Sequence, residues 1–85
     1  MNIQLLYFAK LREQLGVSAE TLDLPDGAAM VAMLLDVLRA RGGVWTEALA
    51  AGGSFRVAVN QELAEMTMPL EEGDEVAIFP PVTGG

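Results

Sequence analysis

The group best placed to do chemistry in this sequence is its terminal carboxyl. The last ten residues read Val76-Ala-Ile-Phe-Pro80-Pro-Val-Thr-Gly-Gly85, a strand-like run that breaks at two prolines and ends on a bare glycine pair. Pro80 and Pro81 fix φ and carry no N–H, so sheet pairing must stop near Phe79 and the chain must continue in an extended course. From Pro80 onward the chain can span roughly 20 Å at about 3.3 Å per residue. Gly84 and Gly85 lack a Cβ, so they can pass a constriction closed to other residues. The pattern reads as a tail, Pro80, Pro81, Val82, Thr83 and Gly84, that carries the Gly85 carboxylate into another protein. A glycine pair alone is also what an ordinary frayed chain end can look like, and the preceding residues have to separate the two readings.

Those residues must form the element that holds the tail. A chain of 85 residues predicts one domain with a modest core. It contains no Cys and no His, which removes disulfides, thiol nucleophiles, zinc-finger spacing and the commonest acid–base side chain. Half of the residues are hydrophobic (52%), too many for a disordered chain. Apolar runs are interrupted well before a membrane-spanning length and no signal-like segment opens the sequence, so the expectation is a soluble cytoplasmic protein. Five Lys and Arg against 12 Asp and Glu give a net charge of −7, which argues against nucleic acid or an anionic membrane and for a basic protein surface as counterpart.

In order, residues 2–8 alternate as a strand, with Ile3, Leu5 and Tyr7 on one face and Gln4, Leu6 and Phe8 on the other. Lys10–Leu15 forms a short helix stopped by Gly16. Residues 19–24 alternate as a second strand ended by Pro25-Asp26-Gly27. The longest helix is expected over Ala28–Arg41, where Val31, Leu34, Leu35 and Leu38 make an apolar stripe; only Asp26 is near enough to cap its start, and Arg39 and Arg41 suit its last turn before Gly42-Gly43. A further short helix is predicted over Trp45–Ala51, closed by Gly52-Gly53. Met30 and Met33 are expected to fill core or near-core space. Residues 54–60 form a third strand with Phe55, Val57 and Val59 opposite Arg56 and Ala58. After a tight turn at Asn60-Gln61-Glu62, Leu63–Met66 is a candidate fourth strand. The last strand is Glu75–Phe79, with Val76 and Ile78 opposite Ala77 and Phe79. The acids Glu71, Glu72, Asp74 and Glu75 have neither calcium-loop spacing nor that of a catalytic pair and read as a solvated turn, so no metal site is predicted.

Two strands, a long helix and two or three more strands is the order of an α+β, ubiquitin-like β-grasp, a mixed sheet of four to five strands wrapping one long helix with additional short helices. Residues 1–79 are expected to form that domain and residues 80–85 a flexible, extended tail. If Ile3, Leu5, Tyr7, Val57, Val59, Val76 and Ile78 face the helix, then Leu6, Phe8, Ala77 and Phe79 are left on the opposite face of neighbouring first and last strands. Such a patch at the root of the tail marks an interface, unless the two short helices cover it.

Three motifs carry a resemblance over nearly the whole chain: Tyr7-Phe-Ala-Lys-Leu-Arg-Glu13, Val59-Asn-Gln61 and Gly73-Asp-Glu-Val-Ala-Ile-Phe-Pro-Pro-Val-Thr-Gly-Gly85. With them the sequence resembles the MoaD and ThiS family of ubiquitin-like sulfur carriers, on the side of the small subunits of molybdopterin synthase. The resemblance implies that an ATP-dependent activating enzyme adenylates Gly85 and that sulfide from a sulfurtransferase displaces AMP to leave a thiocarboxylate. The tail then gives sulfur to precursor Z, cyclic pyranopterin monophosphate, in the active site of the large synthase subunit, building the molybdopterin dithiolene within a heterotetramer. It further implies that Phe8, Leu63 and Phe79 contact both partners, that the large subunit supplies the catalytic side chains, and that this chain binds no cofactor of its own. A carrier for thiamine biosynthesis, a modifier conjugated to lysines through Gly85, and a binding module with an inert tail stay open on the residues alone.

Overall fold

The computed structural model describes residues 1–25, 27, 29–50 and 53–81. Its elements are β1 (Asn2–Tyr7), α1 (Ala9–Leu15), β2 (Ala19–Asp23), α2 (Val31–Arg39), α3 (Val44–Ala48), β3 (Arg56–Val59), β4 (Glu62–Leu63) and β5 (Glu75–Phe79). They build a mixed five-stranded sheet in the order β2-β1-β5-β3-β4, in which β1 and β5 run parallel and the other pairs antiparallel. This is the β-grasp predicted, with the first and last strands side by side at its centre.

The two-residue period decides which side chains meet α2. Ile3, Leu5 and Tyr7 of β1, Val57 and Val59 of β3, and Val76 and Ile78 of β5 are all buried, as is the α2 stripe Val31, Leu34, Leu35 and Leu38. Leu11 and Leu15 of α1 join the same cluster, together with Leu24, Leu49 and Leu70 from the connections. Each fully buried aliphatic side chain contributes about 1.5–3 kcal/mol relative to exposure, so this single layer dominates the stability of the domain. Gly16 closes α1 in the left-handed region at φ 75°, and its N–H donates to the Arg12 carbonyl at 3.0 Å.

Long-range contacts shift several boundaries. The long helix begins at Val31 rather than Ala28, because the segment 66–70 caps it. Val31 N–H donates to the Met68 carbonyl at 3.0 Å and Ala32 N–H to the Met66 carbonyl at 2.9 Å, while Met30 bridges Pro69. These carbonyls satisfy free N–H groups of the helix start in place of a side-chain cap; Asp26 and Ala28 lie outside the described residues. The helix ends at Arg39, and Arg41 instead reaches β2. Ala64 still donates its N–H to the Val57 carbonyl at 2.9 Å, but the segment beyond it turns to the helix start, so the fourth strand is only Glu62–Leu63, and the third is Arg56–Val59 rather than 54–60. The second short helix is Val44–Ala48, with Ala51 and Gly52 outside the described residues. Met30 is half-buried, but Met33 lies off the α2 stripe and is exposed, against the expectation that it fills the core.

Candidate functional site

The site is the outer face of the sheet where β5 ends. Strand register sets its geometry. Leu6 of β1 pairs with Ala77 of β5, Ala77 with Ala58 of β3, and Ala58 with Leu63 of β4. Because directly paired residues share a face, these side chains form one row across four strands, and Ala19 of β2 extends it beyond Leu6. Phe79 stands one step towards the tail on the same face, paired with Arg56. Phe8 follows β1 at that end, and its N–H donates to the Ile78 carbonyl at 3.2 Å.

The row is open to solvent at its edges. Leu63 is 75% and Phe8 45% exposed, while Leu6, Ala77 and Phe79 are half-buried. Leu6, Ala77 and Phe79 keep part of their surface exposed, so this face is partly open beside the short helices. Helix α1 sends Leu11 and Leu15 into the inner core, and α3 packs against α1 and α2. The two alanines at the centre of the row keep it flat between larger residues at either end. Ala58 was placed on this face by its alternation with Val57 and Val59, but its position between Ala77 and Leu63 needed the β3–β4 register.

Pro80 and Pro81 continue from Phe79 beyond the last ladder pair and are half-buried. Val82, Thr83, Gly84 and Gly85 lie outside the described residues. The structure therefore shows the root of the tail and its relation to the apolar row.

On the inner face, a polar cluster fixes the strand that precedes Phe8. The Tyr7 hydroxyl donates to Glu20 Oε2 at 2.9 Å, and Arg41 donates two hydrogen bonds to the same carboxylate, at 2.7 and 2.9 Å. The Arg41 guanidinium also lies 4.4 Å from the centre of the Trp45 ring, which meets Tyr7 edge to face at 5.5 Å. Arg41 hydrogen bonding, chiefly, holds the Glu20 carboxyl below its ordinary pKa. Burial, reinforced by Glu20, pushes the Tyr7 phenol up, so it stays a neutral donor. The opposite end of the sheet is locked by Asn60. Its side chain donates to Asp74 Oδ1 at 3.0 Å and accepts from Glu75 N–H at 3.0 Å, while Asp74 Oδ2 accepts from Glu71 N–H at 2.8 Å. Glu72 accepts from the Asn2 N–H. The acidic turn thus uses Asp74 and Glu72 to hold backbone, and no cluster of potential metal ligands occurs among the described residues.

The sequence model of the ThiS family matches residues 5–85, from the first strand through the terminal glycines. The chain belongs to the ThiS family. Within that family it is similar to the molybdopterin synthase sulfur carrier subunit of Escherichia coli, 42% identical with 98% of this chain and 99% of the relative covered. It is likewise similar to the sulfur carrier subunit of that name from Haemophilus influenzae, 40% identical over 98% of this chain and 99% of the relative. Among solved structures, SAMP1 from Haloferax volcanii superimposes with a TM-score of 0.82 at 30% identity, covering all of both chains. The family match, which spans residues 5–85, takes in the Leu6–Ala77–Leu63 row as well as the glycine tail.

Proposed function

We propose that this chain is the sulfur-carrying small subunit of a molybdopterin synthase. The observation that carries the reading is the junction at Phe79: the last strand ends on an apolar row that is partly open to solvent, and a Pro-Pro segment leads from it to a terminal Gly-Gly in a chain whose nearly full-length relatives are carrier subunits. The chemistry follows from the terminus. A carboxylate resists nucleophiles, so Gly85 must first be adenylated by an ATP-dependent activating enzyme. Sulfide from a sulfurtransferase then attacks the acyl adenylate at carbon, AMP leaves, and the terminus becomes a thiocarboxylate. A chain without Cys has no thiol of its own to divert this sulfur.

Leu6, Phe8, Leu63, Ala77 and Phe79 dock on the large subunit, and residues 80–84 place the thiocarboxylate beside precursor Z in that subunit's active site. The chain contributes sulfur and position; acid–base groups and the substrate pocket belong to the large subunit, in a heterotetramer of two small and two large subunits. Two sulfurs are needed for each dithiolene, so spent carriers must leave for reloading. An exposed, flat face suits exchange better than an obligate interface would. No helix among the described residues is long and apolar enough to cross a membrane, in keeping with a cytoplasmic carrier. The names of the two sequence relatives favour this acceptor over the thiamine-pathway and lysine-conjugation alternatives.

The experiment is conversion of precursor Z by the purified large subunit. Chain bearing the thiocarboxylate should yield the dithiolene, and chain lacking Gly84 and Gly85 should not. Conversion by the truncated chain would overturn the proposal.

A further inference from the structure

The charges of this chain are segregated along β5. At the start of that strand lie Glu71, Glu72, Asp74 and Glu75, with Glu62 two strands away through the pairing of Val76 with Val59 and of Val59 with Glu62. The end of the strand is different. Because β1 is parallel to β5 and β3 antiparallel, the end of β1 and the beginning of β3 flank Ile78 and Phe79. That topology brings Arg56 directly beside Phe79, and α1, which carries exposed Lys10 and Arg12, starts there and packs against β5.

The remaining positive groups already have ion-pair partners: Arg41 with Glu20 beside Tyr7, Arg39 with Asp36 in the cavity that Arg56 also lines, and the terminal amine with Asp23. Lys10, Arg12 and Arg56 make no ion pair among the described residues, although Glu13 and Glu47 sit on the helices at the same end. In a chain of net charge −7, cations without such a partner lie at the root of the tail, around the apolar row.

We infer that Lys10, Arg12 and Arg56 form a cationic collar that meets a carboxylate-bearing rim around the opening in the large subunit that receives the tail. This rests on the carrier reading above and adds the chemistry of the partner's surface. An apolar patch supplies contact area without fixing orientation; charges at its rim steer encounter and set register. Overall, the chain should be drawn to basic surfaces, and the collar reverses that preference locally. The acidic turn is thereby kept away from the opening, and the end that bears Phe79 and Pro80 is turned towards it.

The test compares two sets of substitutions that change the net charge equally. One is Lys10→Gln, Arg12→Gln and Arg56→Gln at the tail end; the other is Thr21→Glu, Gln61→Glu and Thr67→Glu towards the far end. Association of the full-length chain with the large subunit is followed by stopped flow at low and high salt, after circular dichroism has shown both proteins folded. The tail-end set should slow association by about fivefold or more at low salt, with the difference shrinking as salt rises, while the far-end set changes it by less than about twofold. Equal effects of the two sets, or none from the tail-end set, would overturn the collar. Phe79→Ala, measured alongside, separates the two levels. If it weakens the complex while the tail-end set has no effect, the docking face stands and the collar falls. If Phe79→Ala also has no effect, the docking face falls with it.

Discussion

Leu6 and Ala77 stand opposite one another in the parallel pairing of β1 and β5, on the face of the sheet turned away from α2. That relationship turns two separate strands into one surface, and Phe79 lies at its tail-side end. Truncating a half-buried aromatic anchor in such a surface should cost binding more than folding. Phe79→Ala is expected to weaken association with the large subunit by about 1–3 kcal/mol. Titration calorimetry checks this, and unchanged affinity would refute the role of the face.

The Tyr7–Glu20–Arg41 cluster predicts a pH window for stability. Glu20 has a lowered carboxyl pKa in the folded chain. Its contribution is therefore present above the unfolded value, about 4.3, and lost as pH falls through the folded value. Tyr7 has a raised pKa, so its contribution is complete below the unfolded value, about 10, and lost as pH rises beyond it. Urea unfolding should show the Glu20→Gln variant losing less stability than wild type on acidification. A parallel pH profile for the two proteins would contradict the assignment. At neutral pH, Arg41→Met should cost about 0.5–1.5 kcal/mol, modest because the pair is partly solvated.

Adjacent residues in the β3–β4 turn should respond in opposite directions. Asn60 and Gln61 have φ of 50° and 71°, a conformation that strains residues with a Cβ. Asn60 offsets this through its hydrogen bonds to Asp74 and Glu75, whereas the exposed Gln61 side chain has no hydrogen-bond partner among the described residues. Asn60→Ala should destabilise the domain by about 1–2 kcal/mol, and Gln61→Gly should stabilise it by up to about 1 kcal/mol. Thermal or urea unfolding measures both, and a loss of stability in Gln61→Gly would show that the turn is not strained there.

The tail makes a different demand. Gly85→Ala, or one residue added after Gly85, should leave the unfolding midpoint unchanged yet lower sulfur loading or transfer by about tenfold or more, because misplacing a reacting atom by ~1 Å can cost on the order of 10²-fold. Full transfer with the extended tail would show that the terminus need not be unhindered.

The inner and outer faces were legible in the sequence because alternation in β1 and β5 and the stripe on α2 are local patterns that burial then obeys, whereas in β3 the outward Ala58 is buried along with Val57 and Val59. Leu6, Phe8, Ala77 and Phe79 followed as the remainder, and the proline pair marked where the last strand had to stop. The start of α2 was not legible, since the Met66 and Met68 carbonyls that cap it lie more than thirty residues further along the chain. Arg41 looked like a helix-end cation because its pairing with Glu20 spans two elements. The place of Ala58 in the row and the position of Arg56 beside Phe79 likewise required strand register, which no single segment encodes. Leu63 came from family resemblance alone, and the structure puts it at the open edge of the row.

The most direct test of the carrier role is the intact mass of the chain after incubation with its activating enzyme, ATP and a sulfide source. A carrier should gain the mass that corresponds to replacement of one oxygen by one sulfur, localised to the C-terminal peptide and absent without ATP. An unchanged mass with an activating enzyme shown to be working would contradict it.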